Sequence, residues 1–380
     1  MTWAKRMTSG AEISILRLGI AAAIPQLCLP DATVGRDIGR TQWDSVVEIG
    51  RSSKTLLLAI EGLRQQGIPI PATVSAIADN EKRRILAING VNLANITRLS
   101  KICQNASLPF VLFKGPIGQF LAYGSHFLRP SSDIDILVHR HDFGRASNLL
   151  QNSGYDLPDE CNRVWWTRFL GEQHFFPRHS HGATVDLHHR IQQPECPQPA
   201  HIGDYLAKRI DYPIGADTVP YLDRINAALL TSMSFVKSLV QHCVAAAYLA
   251  DFCALFLALD AEERTELMHR ARVQNIENTV RLTMACAHEI FGLAVADFPG
   301  LVSVNDLFGS DLALAIFQPD NDMIRWPRLR RILWRLCDDR VAGQKIKTYL
   351  WVGGSFLVSK VTRQWVGSNN SEPTLKSVQA

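Results

Sequence analysis

The stretch Phe110–Val138, FVLFKGPIGQFLAYGSHFLRPSSDIDILV, decides the fold of this chain. Its first apolar run stops at Lys114-Gly115, a short helical pattern follows, and a polar turn leads into a second apolar run that carries Asp133 and Asp135. Side chains alternate across a β-strand, so these two aspartates project from one face while Ile134, Ile136 and Val138 point the other way, into a core. The stretch therefore predicts a strand, a helix and a second strand that presents paired carboxylates.

Paired carboxylates on one face indicate a metal site, because they repel each other unless a cation lies between them. Ligands that offer only oxygen suit Mg²⁺, which takes its remaining ligands from water and substrate phosphates, and Mn²⁺ is an alternative ion. A two-metal site needs a third carboxylate. Asp186 is the best candidate, since Thr184, Asp186 and His188 share a face in a later strand pattern. We therefore predict that Asp133, Asp135 and Asp186 are metal ligands and catalytic residues of a phosphoryl or nucleotidyl transfer centre, with Asp186 also acting as a base.

The junction between the first strand and the helix has the features of a phosphate site. Pro116 suits a first helical position, and the free N–H groups of a first helical turn attract anions. Gly115 has no side chain to block a phosphate. Lys114 and Arg129 add charged donors, although Lys114 is equally explained as a solvated lysine at a strand end and Arg129 as an ion-pair partner of the aspartates. The predicted nucleotide-binding residues are Lys114, Gly115, Arg129, Ser132 and His188.

Taken together, these motifs resemble a known family. The combination of K-G at 114–115, R-P-x-x-D-I-D-I-L-V at 129–138 and V-D-L-H-H at 185–189 is similar to the uncharacterised nucleotidyltransferase family of the DNA polymerase beta-like superfamily. Lys114-Gly115 stands where the superfamily has Gly-Ser, and Asp133 follows Gly115 by eighteen positions, a longer gap than the superfamily has. The resemblance implies a Mg²⁺-dependent nucleotidyltransferase that moves a nucleoside monophosphate from an NTP to an acceptor, with a small mixed β-sheet core flanked by helical regions.

The resemblance leaves the acceptor open. Family members occur beside ribosomal peptide pathways such as those of lasso peptides, so a peptide acceptor is one expectation, and a small molecule or a protein side chain are others. Two alternatives come from other classes of protein. One is a non-catalytic protein that binds a nucleotide or a partner, and the other is an adaptor that contacts a membrane surface or a nucleic acid.

The adaptor hypothesis depends on an arginine-rich C-terminal segment, for which a helix docked by its apolar side with a solvated basic face is the competing explanation. Basic and apolar residues interleave there: Arg325, Arg328, Arg330, Arg331, Arg335 and Arg340 with Trp326, Leu329, Ile332, Leu333, Trp334 and Leu336.

Composition sets broad limits on the protein class. The chain has 380 residues, 47% of them apolar, and a formal net charge of +4, which is too small to argue for nucleic acid as a partner. Its eight cysteines show no C-x-x-C spacing, and we expect reduced thiols in a cytoplasmic protein without a secretory leader. No uncharged apolar run is long enough for a membrane span, although peripheral contact with a membrane stays open.

Hydrophobic periodicity predicts an α+β fold. Residues 10–105 are expected to be helical, with one helix from Trp43 to Leu63 ended by Gly67-Ile68-Pro69. Residues 106–200 mix strands and helices, and helical patterns return from Ile225 to Glu289. The expected division is a helical N-terminal region, the nucleotidyltransferase core, a helical C-terminal domain and a disordered tail: 1–105, 106–215, 216–366 and 367–380.

Three other patterns have structural explanations. Five histidines crowd one region but match no closed zinc site: His174, His179, His181, His188 and His189. Asp142-Phe143-Gly144 lacks the other kinase motifs and is interpreted as the beginning of a helix. Asp251 lies in an apolar helical pattern, where an acid needs a partner, and we expect capping or hydrogen bonding between helices.

Overall fold

The computed structural model describes residues 3–27, 29, 39–178, 182–295, 298, 301, 303–319, 326–340 and 342–366. Within these residues the chain forms a mixed α+β fold in which a seven-stranded sheet is surrounded by helices. The predicted fold class is confirmed. His179, His181, Arg325 and the predicted tail 367–380 lie outside the described residues.

The sheet contains parallel and antiparallel pairs in the order β3-β4-β5-β2-β1-β7-β6. Its centre is β2, which pairs antiparallel with β1 and parallel with β5. Both faces of β1 are buried, and five of the six residues of β2 are buried as well. The strands are β1 Phe110–Phe113, β2 Asp133–Val138, β3 Tyr155–Asp156, β4 Glu172–Pro177, β5 Thr184–His188, β6 Arg209–Ile214 and β7 Asp217–Leu222.

Helices precede the sheet, connect its strands and follow it. The first four helices come before β1, and α5 joins β1 to β2. The bounds are α1 Trp3–Ala23, α2 Arg40–Ser52, α3 Leu56–Gln65, α4 Ala72–Asn105, α5 Gly115–Tyr123, α6 Phe143–Asn152, α7 Ile202–Ala207, α8 Arg224–Val240, α9 Ala246–Leu257, α10 Ala261–Val273, α11 Glu277–Phe291, α12 Val304–Phe308, α13 Leu312–Phe317, α14 Trp326–Leu336 and α15 Ala342–Val366. A π-helical turn covers Trp165–Leu170.

The single helix predicted from Trp43 to Leu63 is wrong, because the chain breaks between α2 and α3. Lys54 has a left-handed backbone with φ of 56°, which cannot continue a right-handed helix. Ser53 closes the end of α2 by donating from Oγ to the carbonyl oxygen of Ile49 at 2.6 Å, and its Oγ lies 2.7 Å from that of Thr55. Local hydrogen bonds of this kind compete with helix continuation.

The hairpin β6–β7 was not predicted. Pro213 and Pro220 interrupt its apolar pattern, and proline weakens a strand prediction because it has no N–H to donate. Gly215 supplies the turn with φ of 61°, and β6 lies at the sheet edge, where a proline is tolerated. The expected domain boundary at 215/216 falls in this turn, and that division of the chain stays a prediction.

One continuous hydrophobic core joins the buried residues of the N-terminal helices, the sheet and the C-terminal helices. In α14, Leu329 and Leu333 are buried, so this helix docks by its apolar side, as the competing explanation for the basic segment expected. Among the residues of α15 whose side chains the structure describes, five large apolar ones are exposed: Ile346, Tyr349, Leu350, Phe356 and Leu357. No helix among the described residues has the length and apolarity to cross a membrane.

Candidate functional site

The parallel pair β2–β5 brings together the acids that the sequence places far apart. Asp135 lies directly beside Asp186, and Asp133 lies beside Thr184. Because the side-chain period of a strand is two, all four side chains occupy the same face of the sheet. His188 is opposite Leu137, two residues beyond Asp186, and shares this face. The arrangement matches the predicted juxtaposition, while the roles of these residues stay a prediction.

Asp135 is held by two donors that use the same carboxylate oxygen. Its side chain is 4% exposed, and its Oδ1 accepts a hydrogen bond from Lys114 Nζ at 2.9 Å and lies 3.1 Å from Nε2 of His188. Its Oδ2 has no hydrogen bond to a described residue. The lysine and the histidine therefore fix the orientation of the carboxylate and leave one oxygen available.

A second histidine performs the same task for Asp186, and one glutamate connects the two histidines. Nδ1 of His174 lies 2.5 Å from Oδ1 of Asp186, and Nε2 of His174 lies 3.0 Å from Oε1 of Glu172. The other oxygen of Glu172 lies 3.6 Å from Nδ1 of His188. Glu172 and His174 are on β4, whose antiparallel register with β5 places them beside His188 and Asp186. Imidazoles and carboxylates thus alternate from Asp186 through Glu172 to Asp135.

These contacts set the charge states of the groups. Burial raises the pKa of Asp135, but Lys114 and His188 outweigh burial and lower the pKa below its usual value. Burial lowers the pKa of His174, whereas its bonds to Asp186 and Glu172 raise it to about 10. For Glu172, burial is outweighed by His188 and His174, and the pKa is lowered. His174 is therefore an imidazolium between two carboxylates at neutral pH.

Asp133 differs from Asp135 because it has few favourable partners. Its Oδ1 accepts a hydrogen bond from Ser132 Oγ at a long 3.4 Å, and Oδ2 has no hydrogen bond to a described residue. Burial, Asp135 and Asp186 together raise the pKa of Asp133 to about 6, with Lys114 opposing the rise. Like-charge repulsion of this kind is relieved when a cation binds.

The donor set fits a divalent metal. Ligand atoms of Asp135, Asp186 and His188 all lie within 4.8 Å of one another, and so do those of Glu172, His174 and Asp186. In the second set both nitrogens of His174 already face carboxylates, so the imidazolium itself neutralises that set. In the first set Asp135 and Asp186 each keep one oxygen without a hydrogen bond to a described residue, and Asp133 adds a third such oxygen from the same face. Carboxylate oxygens are the ligands that Mg²⁺ prefers.

The junction of β1 and α5 has an unusual backbone. Lys114 has φ of 60° and ψ of −157°, a strained conformation for a residue with a side chain, and Gly115 follows with φ of 70°. The hydroxyl of Tyr221 donates to the carbonyl oxygen of Lys114 at 2.7 Å and helps to hold this turn. Apart from the adjoining backbone, no atom of a described residue lies within 4 Å of the position that a Cβ on Gly115 would take. The first turn of α5 is thus open to a ligand above Gly115.

Buried amide side chains fix the loop that leads into β2. Asn89 of α4 donates to the carbonyl oxygens of His126 and Arg129, and its Oδ1 accepts from Ser131 N at 2.9 Å. Gln119 of α5 accepts from the backbone N–H groups of Leu128 and Arg129. Hydrogen bonds from α4 and α5 therefore fix the polar loop, and the sequence pattern did not indicate these bonds.

Arg129 makes a different ion pair from the one considered as an alternative. Its Nη2 lies 2.5 Å from Oδ2 of Asp251 on α9, and Tyr123 donates to the other oxygen of Asp251 at 2.9 Å. Asp251 thus forms hydrogen bonds between helices, as its sequence context suggested. The guanidinium also lies 6.0 Å from the ring of Tyr248, and its Nε has no hydrogen-bond acceptor among the described residues.

Two further lysines interact electrostatically with residues of the site and were missed. Partial loss of hydration lowers the pKa of Lys54, Arg129 lowers it further, and Asp133 raises it. Burial lowers the pKa of Lys237 on α8, with Lys114 acting in the same direction. Lys54 lies in the turn between α2 and α3 and Lys237 on α8, both remote in sequence from the aspartates, and no motif distinguishes either lysine. Glu172 and His174 had one usable signal, since they alternate on a strand pattern just before the strand of Asp186.

Comparison with known proteins was consistent with this geometry. A search of proteins with curated functions finds no match to the chain. The family model described as uncharacterised nucleotidyltransferase matches residues 39–292, which include β2, β5 and every site residue named above. Because the match extends over more than half of the 380 residues, the chain belongs to the uncharacterised nucleotidyltransferase family and is a transferase of phosphorus-containing groups.

Proposed function

We propose that the protein transfers a nucleoside monophosphate from an NTP to an acceptor and that it uses Mg²⁺, with Mn²⁺ as an alternative. One observation carries this proposal: Asp133, Asp135 and Asp186 share one face of the sheet, and each keeps a carboxylate oxygen without a hydrogen bond to a described residue. Buried or half-buried carboxylates ordinarily have partners. These three carboxylate oxygens lie beside the turn at Lys114-Gly115, which is the proposed phosphate site. Their arrangement supports the binding of a divalent ion by the three aspartates.

The residues divide the work of an in-line displacement. Lys114 and Arg129 hold oxygens of the triphosphate, and the open turn at Gly115 lets backbone N–H groups approach them. Ser132 is exposed and directly precedes β2, and it is the remaining candidate for a substrate contact. When bound by the three aspartates, Mg²⁺ supplies charge neutralisation at the reacting phosphate.

Proton transfer is assigned to Asp186. The acceptor oxygen forms a bond to the α-phosphorus while the bond to the β-phosphate oxygen breaks, and pyrophosphate leaves. Asp186 takes the acceptor proton, because His174 holds its Oδ1 and leaves Oδ2 free. His188 acts through Asp135, whose Oδ1 it orients, and is a positioning residue.

The acceptor is assigned only by class. A hydroxyl or comparable nucleophile on a peptide, a small molecule or a protein side chain fits the chemistry, and the peptide acceptor suggested by the family's association with lasso peptide pathways stays a prediction.

The test measures pyrophosphate release and transfer of label from α-labelled NTPs, with Mg²⁺ and a panel of the three acceptor classes. Asp135→Asn should lower transfer by roughly 100-fold or more, the scale seen when a charge-stabilising group is removed. Asp156→Asn is the matched control, because Asp156 lies on β3 of the same sheet and pairs with exposed Arg178.

Transfer that persists unchanged in Asp135→Asn would contradict the proposal. Calorimetry on the same proteins separates the main alternative: tight binding of Mg²⁺-NTP without pyrophosphate release across the panel would indicate a non-catalytic nucleotide-binding protein.

A further inference from the structure

A large basic cavity lies beyond the C-terminal ends of β2 and β5. Its volume is about 760 Å³, within the range of small-molecule sites. Its walls come from the segments that follow the two strands, from α7 and from α15, and the residues used below are Arg140, Arg190, Arg340, Lys347, Thr348 and Trp351. None of the three aspartates of the candidate active site lines it, so the cavity is separate from that site.

The described residues that line the cavity carry an excess of positive charge. No Asp or Glu is among the residues that line it within the described chain. Arg340 is neutralised by Asp338 at 2.9 Å. Arg140, Arg190 and Lys347 have no carboxylate of a described residue within ion-pair distance. Three unpaired cations around one cavity are an arrangement that a multiply charged anion stabilises.

Arg190 is held in place by apolar contacts rather than by an acid. Its guanidinium lies 4.7 Å from the centre of the Trp351 ring, and Trp351 packs on Phe169 at 4.6 Å. The aliphatic part of Arg190 lies against Gly171, where a Cβ would come within 2.8 Å of it. Burial lowers the pKa of Arg190, and nearby Arg140 lowers it further. The positive charge of Arg190 is therefore held in a fixed position without a carboxylate of a described residue to neutralise it.

Trp351 supplies an independent observation. Its indole N–H is buried and has no hydrogen-bond acceptor among the described residues. A buried donor without an acceptor is costly unless a ligand or water satisfies it. The same side chain lines the cavity and stacks on Arg190.

We propose that this cavity binds a phosphorylated small molecule, with Arg140, Arg190 and Lys347 on its phosphate oxygens and Trp351 beside them. Phosphate is preferred to carboxylate because three cations match a group with two or more charges, and the guanidinium fork suits phosphate geometry. The inference goes beyond nucleotidyl transfer and does not depend on it.

The indole N–H of Trp351 is also the reporter for the test. The chain has eight tryptophans, so ¹⁵N-tryptophan labelling gives a small set of indole signals, and Trp351→Phe assigns the relevant one. Inorganic pyrophosphate is titrated at constant ionic strength with EDTA present. We expect a saturable shift of the Trp351 signal, and at least about tenfold weaker apparent affinity in Arg140→Gln/Arg190→Gln, since each lost charge-assisted bond weakens binding.

Controls separate this site from other causes. Arg51→Gln/Arg335→Gln removes the same charge from exposed positions outside the cavity and should titrate like the unmodified protein. Lys114→Gln should also retain the shift, because Lys114 belongs to the candidate active site. Matching signals of the other tryptophans establish that each variant is folded.

Several outcomes would overturn the proposal. These are an immobile Trp351 signal up to millimolar pyrophosphate, an unchanged titration in Arg140→Gln/Arg190→Gln, or loss of the response in Lys114→Gln. An equal response to citrate would overturn the assignment to phosphate.

Discussion

At the scale of single residues, the cost of crowding three carboxylates falls mainly on Asp133. Lys114 and His188 stabilise ionised Asp135, and His174 hydrogen-bonds Asp186. Among the described residues, the side chain of Asp133 receives one long hydrogen bond, from Ser132. Repulsion and burial therefore raise the pKa of Asp133 to about 6 in the metal-free protein. A site that is unfavourable when empty gains more when a cation binds.

Asp133→Asn should stabilise the metal-free protein at about pH 8 by about 1–3 kcal/mol, since each pKa unit corresponds to about 1.4 kcal/mol. Because folding raises the pKa of Asp133, its protonated side chain contributes to stability fully below the unfolded pKa of 3.8. This contribution is lost as pH rises through the folded pKa of about 6. The advantage of Asn should therefore vanish near pH 4. Urea unfolding with EDTA at both pH values measures it.

Asp156→Asn serves as the control for that series, because Asp156 is exposed and paired with Arg178. With saturating Mg²⁺ the unmodified protein should be more stable than Asp133→Asn, since only the unmodified protein then gains a bond from Asp133 to the ion. A destabilised Asp133→Asn protein in EDTA at the higher pH would contradict the repulsion.

The ion pair of Arg129 and Asp251 makes a second prediction at this scale. Asp251→Asn should lower the free energy of unfolding by about 3 kcal/mol, because it leaves a largely buried guanidinium without its carboxylate. Arg129 is 16% exposed and its Nε already lacks an acceptor. Chemical denaturation measures the loss.

Tyr123→Phe removes only the neutral hydrogen bond to Asp251 and should cost about 1 kcal/mol. Replacing both charges, in Arg129→Met/Asp251→Leu, should restore much of the stability. If Arg129→Met/Asp251→Leu is as unstable as Asp251→Asn, the loss of stability does not come from an unpaired charge.

At the scale of elements, α1 and α3 cross so closely that only glycine fits at the contact. A Cβ on Gly62 would collide with the backbone carbonyl of Gly19, and a Cβ on Gly19 would collide with the backbone of Ala59. Gly62→Ala should therefore destabilise the protein by about 1–3 kcal/mol or more, because the helices must separate. Thermal unfolding measures the change.

Gly90→Ala is the matched control, since Gly90 is also within a helix but has nothing within 4 Å of a Cβ position. There alanine should raise stability by up to about 1 kcal/mol through its higher helix propensity. Equal effects at positions 62 and 90 would rule out the close crossing.

The elements that the sequence predicted well are those with a strong local pattern. Alternation predicts β2 and β5 and places their acids on one face, and the strand register agrees with this. The break at Lys54 was missed because the apolar spacing continues through it, and only local hydrogen bonds reveal it. Glu172 and Lys237 were missed for another reason: their proximity depends on which strand and helix pack together, which periodicity does not encode.

At the scale of the whole molecule, segments outside the family match complete the packing. The match begins at residue 39, but α1 packs along α3 and buries Leu16 and Ile20 completely. Arg17 of α1 also donates to the carbonyl oxygens of Ile290 and Glu289 at the end of α11. The N-terminal helix thus joins the two ends of the matched region.

A protein shortened to residues 39–292 should therefore lose cooperative folding. Each large apolar side chain that α1 buries contributes about 1.5–3 kcal/mol, and several such losses match the whole net stability of a domain, about 5–15 kcal/mol. The exposed faces of α3 and α11 would also favour aggregation. Circular dichroism during heating and hydrogen exchange measure the effect.

Arg17→Gln in the full chain is the control for this truncation, because it keeps the apolar contacts of α1 and removes only the hydrogen bonds to α11. This variant should still unfold cooperatively, at a slightly lower temperature. Sharp, reversible unfolding of the shortened protein at the original temperature would mean that residues 39–292 carry the fold alone.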